Sequence, residues 1–153
     1  MLSEYDLTAH NYLQLSSRAQ YFVAPDNLEQ ILAAIDYAVK HDLAIHPLGS
    51  GSNIIVPKYV RGLVIHNCLL GKKVINTNID SVMLEAAAGE NWDQLVQYTI
   101  SQGWYGLENL AKIPGQVGAA CVQNIGAYGV EVSSFIENIT CMKIVVSPAK
   151  SLD

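Results

Sequence analysis

A strand-rich α+β fold is predicted from three features: short β-rich runs are numerous, two amphipathic helical periods separate groups of them, and Gly, Pro and Asn clusters punctuate the chain. Ser17 to Ala24 alternates in aromatic and aliphatic residues and reads as a strand running into the turn Pro25-Asp26-Asn27. Asp26 is expected to cap the next helix with Glu29 as its capping-box partner. Leu28, Ile31, Leu32, Ile35, Ala38 and Val39 recur at helical spacing, so residues 27 to 41 should form a helix with one buried face.

Ala44 to Leu48 is a short apolar run, followed by Gly49-Ser50-Gly51-Ser52-Asn53 and then Ile54-Ile55-Val56 closed by Pro57. The pattern predicts strand, tight turn, strand. His46, one imidazole in an apolar strand, is expected to pack in the core. Val60 to Ile65, Val74 to Ile75 and Ser81 to Ala88 are further strands. Asn91 then caps a second helix, Trp92 to Ser101, with Trp92, Leu95, Val96, Thr99 and Ile100 on one face and Gly103 just past its end.

The 153 residues suffice for one ordinary domain or two small lobes, and a 50% apolar, 15% charged composition supports a buried core. A net charge of −5 without a basic cluster argues against nucleic acid or an anionic membrane as partner. No apolar stretch reaches the roughly 20 residues of a membrane span, and Met1 to Asp6 lacks the layout of a secretion signal, so the expected location is the cytoplasm. Cys68, Cys121 and Cys141, odd in number and without CxxC spacing, are expected to be reduced structural thiols.

Two segments carry chemistry. Gly49-Ser50-Gly51-Ser52-Asn53 can offer consecutive backbone N–H groups and side-chain donors to an anion without formal charge, as a pyrophosphate requires; a hairpin turn tolerant of glycine is the alternative. It is neither a Walker loop, lacking a terminal Gly-Lys-Ser/Thr, nor a GxGxxG turn entering a helix. Ile113-Pro114-Gly115-Gln116-Val117-Gly118 runs on through Asn124-Ile125-Gly126-Ala127-Tyr128-Gly129, where small residues would let the backbone approach a planar ligand.

Together these loops resemble a known family. Leu48 to Asn53 looks like the pyrophosphate loop of the vanillyl-alcohol-oxidase (PCMH-type) FAD-binding fold. Gly106-Leu107-Glu108-Asn109-Leu110-Ala111, followed by Ile113-Pro114-Gly115 through Tyr128-Gly129, resembles the signature of MurB, the UDP-N-acetylenolpyruvoylglucosamine reductases. Ala88-Gly89-Glu90-Asn91-Trp92 and Arg61-Gly62 are similar as well. The resemblance covers about residues 5 to 140.

The resemblance implies a truncated PCMH-type fold, with a first lobe over residues 1–66 and an incomplete second lobe over 67–141. FAD would lie between them, its pyrophosphate on Gly49, Ser50, Gly51, Ser52 and Asn53. Its flavin would lie along Ile113, Pro114, Gly115, Gly118, Asn124, Gly126, Ala127, Tyr128 and Gly129. No His or Cys stands in the glycine loop, so attachment should be non-covalent. The family reduces UDP-N-acetylglucosamine enolpyruvate, a UDP-sugar, with hydride from NADPH passed through FAD, in peptidoglycan synthesis. Its catalytic Arg, Ser and Glu align with nothing here: Arg18 and Arg61 both precede the second loop, and Glu108 and Glu131 read as loop structure. The chain is therefore expected to be inactive alone. Another oxidoreductase of the same flavin fold, or a non-catalytic FAD-binding remnant, is the alternative. At the ends, Asn11-Tyr12-Leu13 stands where the family has Asn-Thr-Phe, and residues 142–153 resemble the opening of the YaaA family of peroxide-stress proteins rather than further MurB sequence.

Overall fold

Four strands form the first sheet in the computed structural model, which describes residues 1–144. They are β1 (Leu2–Asp6), β2 (Arg18–Val23), β3 (Ile45–Leu48) and β4 (Tyr59–His66), in the spatial order β1-β2-β4-β3. β1 runs antiparallel to β2, while β2 and β3 both run parallel to β4. An irregularity in β2 between Ala19 and Tyr21 places Ala19 and Phe22, three positions apart, on one face. That face joins Leu7, Leu48 and Val64 in one core. Leu63 and Ile65, alternating with Val64 along β4, face the other way and meet Ala34 and Ala38 of helix α1 (Leu28–Lys40).

The cap of α1 is Asn27, whose side chain accepts the N–H of Gln30 at 2.9 Å. The predicted Asp26–Glu29 pair is thus replaced by a cap one residue on, and Asp26 instead accepts from the Asn27 amide. The buried face also differs from the expected one. Ala34 and Ala38 are buried, but Leu28, Leu32 and Val39 are exposed because the sheet covers only one side of the helix.

Ile54, Ile55 and Val56 form no strand, and Ile55 is 82% exposed. β3 and β4 lie side by side in parallel, so the chain between them must return the length of the sheet instead of folding as a hairpin. His46 is exposed on edge strand β3 and donates from Nε2 to the Arg61 carbonyl at 2.8 Å. The expected core position is therefore wrong: successive strand residues face opposite sides, and Ile45 takes the inward one.

The second half has its own core of Trp92, Leu95, Val96, Leu110, Ala120 and Val132. β5 (Lys72–Thr77) and β6 (Val82–Ala86) make an antiparallel pair. Helix α2 (Trp92–Ser101) has the predicted bounds, its cap Asn91 accepting from Gln94 N at 2.9 Å. A 3-10 turn at Glu108–Leu110 leads to a short helix α3 (Val117–Gln123), then β7 (Gly126–Ala127) and β8 (Val130–Glu131). Tyr128 and Gly129 both have positive φ, 54° and 79°, which is the two-residue turn that matches the twist of a hairpin.

All three cysteines are free, and burial pushes the Cys68 and Cys121 thiols up, away from the reactive thiolate. Most of the tail read as foreign sequence, residues 145–153, lies outside the described residues.

Candidate functional site

Folding brings the two predicted loops together at one edge of the first sheet. Ser52 Oγ donates to the Pro114 carbonyl at 3.2 Å across 62 positions of sequence, and Asn53 Nδ2 donates to Gln123 Oε1 at 3.0 Å. Gln116 reaches from the second loop to the first sheet, its Nε2 donating to the Asn67 carbonyl at 3.1 Å. Its Oε1 lies beside Gly49, 3.2 Å from where a Cβ would stand.

The glycine-rich loop is shaped from below. Buried Asn11 holds the preceding segment through bonds to the carbonyls of Leu7, Thr8 and Leu15 and to the Leu15 N–H. Tyr12 N then donates to Gly51 O at 3.0 Å. Gly51 has φ +67°, and a Cβ there would stand 2.1 Å from the His10 carbonyl, so no other residue fits without moving backbone. Tyr12 and Leu13, where the resemblance expected Thr and Phe, are exposed at 71% and 57%.

The backbone donors of this loop are unpaired. Among the described residues, none of the five backbone N–H groups from Gly49 to Asn53 donates to a protein acceptor. Ser50 and Ser52 hydroxyls lie 3.3 Å apart. The loop contains no carboxylate, so the donor set is one that suits an anion.

The second loop is fixed from the opposite side. Asp93 accepts from Lys112 N and Nζ at 2.8 and 2.9 Å, and these bonds hold its carboxyl below the usual range. Trp92 N donates to Gly115 O at 3.0 Å, and Trp92 Nε1 donates to Leu110 O at 2.8 Å. Val117 N and Gly118 N dock on the carbonyls of Glu90 and Ala88. A Cβ on Gly118 would stand 2.8 Å from that of Ala88, which is how α3 comes so close. Glu90 in turn bonds Lys72 Nζ at 2.6 Å and Gly71 N at 2.8 Å, both lowering its pKa.

Pro114 and Gly115 thus stand against Ser52, and Gly49 against Gln116 and Ala119, whereas Ile113 packs on the Trp92 core and Gly118 on Ala88. Asn124, Gly126, Ala127, Tyr128 and Gly129 are placed differently. Asn124 is the left-handed cap of α3 and spends its amide on Glu131 and Ser133. Tyr128 is 90% exposed at the hairpin tip, and no hydrogen bond among the described residues joins 126–129 to the glycine loop. Glu108 accepts from Gly106 N, and Glu131 accepts from Asn124, so both carboxylates serve loop structure as expected.

Sequence reading missed Gln116 and Gln123, the two amides that tie the loops together, and His10 and His66 beneath them. Nothing in their local pattern marks them, because their role arises only when distant segments meet. A hollow at the hairpin bend Thr77, Asn78, Ile79, Asp80 and Ser81 contains none of these groups. Among the described residues, no cluster of His, Cys, Asp or Glu could hold a metal, and no helix is long and apolar enough to cross a membrane.

Residues 19–149 match the family of the FAD binding domain, and the chain belongs to that family. The match reaches into the segment read as a foreign tail. The chain is similar to UDP-N-acetylenolpyruvoylglucosamine reductase from a Psychrobacter species, 44% identical over 133 residues, covering 87% of this chain and 35% of the relative. The same-named enzyme of Chromobacterium violaceum is 39% identical over 142 residues, 93% of this chain and 42% of the relative. Among solved structures, the reductase (MurB) of Thermus caldophilus superposes with a TM-score of 0.62 at 25% identity, over 83% of this chain and 43% of that one. The chain therefore spans well under half the length of these relatives.

Proposed function

We propose that this chain is the FAD-holding part of a UDP-N-acetylenolpyruvoylglucosamine reductase, with the FAD pyrophosphate on Gly49, Ser50, Gly51, Ser52 and Asn53. The observation that carries the reading is the row of open N–H groups in that loop, set against the second loop by Ser52 and Asn53. A dianion there would receive neutral hydrogen bonds from a backbone already fixed in shape, so little ordering is needed on binding. The flavin would lie along Ile113, Pro114, Gly115 and Gly118, extending toward Asn124, Gly126, Ala127, Tyr128 and Gly129. Residues 1–66 and 67–141 act as the two lobes of this site. FAD, held without a covalent bond, supplies hydride transfer; the residues of this chain orient it.

The reaction served is NADPH-dependent reduction of the enolpyruvyl group of UDP-N-acetylglucosamine enolpyruvate, in the cytoplasm, toward peptidoglycan. Neither arginine of this chain is placed at the loops to supply the cation that such a carboxylate-bearing substrate requires. Arg18 Nη1 reaches the Glu4 carbonyl, and Arg61 lies at the far end of β4 from the glycine loop. Turnover by these 153 residues alone is therefore expected to be nil.

Titration of the purified chain with FAD, followed by quenching of flavin fluorescence, tests the reading. Saturable binding is expected. Ser50→Asp adds a charge at an exposed position of the loop and should weaken binding by about 2 kcal/mol. A folded chain that binds no FAD, or a Ser50→Asp variant that binds equally well, would refute the placement.

A further inference from the structure

The glycine-rich loop offers hydrogen bonds but no charge. There is no Lys or Arg from residue 43 to 57 or from 113 to 131. Lys58 and Arg61, next after the first loop in sequence, lie toward the start of β4, the end away from that loop, and Lys112, just before the second loop, is committed to Asp93. Two imidazoles lie under the loop instead. The His10 carbonyl contacts Gly51, and the His10 ring stands 5.1 Å from that of His66. His66 Nδ1 donates to the carbonyl of Leu48 at 3.3 Å, the residue that leads into Gly49.

We infer that His10 and His66 form a proton-fed counter-charge for the loop, so that a dinucleotide pyrophosphate binds there together with a proton taken up by the pair. The inference rests on the FAD reading above and concerns how this chain neutralises the bound anion. His10 is half-buried against Tyr5 and Phe22, whose rings stack at 4.0 Å, with Phe22 5.0 Å from His10. Burial and the neighbouring His66 both disfavour the charged His10 ring, and Asp6 favours it more weakly.

The titratable groups around His10 among the described residues are Tyr5 and Asp6 on β1 and His66 on β4; β2 presents only Phe22. Asp6 is already engaged by the N–H and hydroxyl of Thr8. Tyr5 Oη bonds His10 Nε2 at 3.0 Å, and the hydroxyl can accept from a protonated ring, so this bond is compatible with protonation. An arriving dianion therefore meets a His10 ring whose charged form is disfavoured while the loop is empty, and it can favour the imidazolium there.

The sign follows. With the empty-loop His10 pKa depressed and the occupied one raised, binding takes up a proton, and affinity is greatest below the empty-loop value. It declines as pH rises through the occupied-loop value. A pyrophosphate diester has no second ionisation in this range, so its own charge stays constant.

Calorimetric FAD titrations of the full chain, in buffers of contrasting ionisation heat near neutral pH, should show uptake on the order of half a proton. Affinity should tighten about tenfold from about pH 8 to about pH 5, the equivalent of one unit of pKa change. His10→Gln and His66→Gln should flatten the slope, while His46→Gln, exposed on β3, should retain it. Binding with no proton uptake and a flat pH profile would overturn this inference and leave the FAD reading intact. Uptake that persists in both the His10 and His66 variants would overturn it too. Absence of FAD binding at every pH would remove both. If a variant fails to fold, the proton count of the unaltered chain still decides.

Discussion

Helices α1 and α2 begin alike and end up in different environments. Asn27 and Asn91 each accept the N–H three residues on, at 2.9 Å in both cases. Each helix also carries apolar residues at helical spacing. α2 buries its expected face, Trp92, Leu95, Val96 and Thr99, because the turn at Leu110, helix α3 and Val132 surround it. α1 rests on Leu63 and Ile65, with Tyr21, Val23 and Ile45 only partly buried around them, and buries two alanines, leaving Leu28, Leu32 and Val39 at 56%, 47% and 54% exposure. Periodicity therefore tells that a helix forms, but the neighbours decide how much of its apolar stripe is covered.

The largest expected effect is at Trp92, which is 3% exposed and bonds Leu110 O and Gly115 O through its indole and backbone N–H groups. Trp92→Ala should cost about 4 kcal/mol in urea denaturation, through lost burial and a residual cavity. FAD affinity should fall with it, since the Gly115 segment rests on this residue. An α1 substitution of equal cost would break the comparison.

Next is the Lys72–Glu90 pair, whose side chains are 28% and 7% exposed. It fixes the segment on which α3 docks. Glu90→Gln leaves Lys72 without a counter-ion and should cost about 2 kcal/mol at neutral pH. The pH dependence has a definite sign. The Lys72 bond, then the Gly71 N–H, lowers the Glu90 pKa, so its contribution is full above the ordinary carboxylate range. It is lost as pH falls through the folded-state value. Melting curves of parent and variant should converge in acid; a gap independent of pH would mean that the charge is irrelevant.

These two sites also show what was legible in the sequence. α2, its Asn91 cap and its buried face are local signals, and they were read correctly. The donor-rich glycine loop was visible for the same reason. α3 was not: seven residues containing Gly118 and two β-branched valines have weak helix propensity, and its first N–H groups are satisfied by Ala88 and Glu90, far back in the chain. The parallel pairing of β3 with β4 was equally hidden, since alternation carries no direction. Ile54 to Val56 looked like a strand because apolar runs imply one, but a ten-residue return connection leaves that stretch no partner. Local chemistry revealed the first loop, and only tertiary contacts reveal the amides and imidazoles that complete its surroundings.

The two caps sharpen the comparison at a smaller scale. Asn27→Ala and Asn91→Ala should each cost about 1 kcal/mol, because each strands the same kind of helix-end N–H. Equal costs would show that the helices differ only in what covers them. A clearly larger cost at Asn91 would mean that the tightly packed core around α2 depends on the helix end more than the sheet beneath α1 does.

The smallest effect belongs to the open face of α1. Leu32→Ser exchanges a side chain that is nearly half exposed, and Leu28 and Val39 beside it on the stripe have no closer neighbours from the sheet. Loss of apolar burial and of some helix propensity should together stay within about 0.5 kcal/mol. The same substitution at Leu95, on the covered face of α2, should cost several times more, since it empties a site that is 5% exposed and leaves a hydroxyl among apolar groups. Denaturation of both variants at two protein concentrations settles the matter. A Leu32→Ser cost that grows with concentration would mean that a second copy covers α1 in solution, and the contrast between the helices would then belong to the single chain alone.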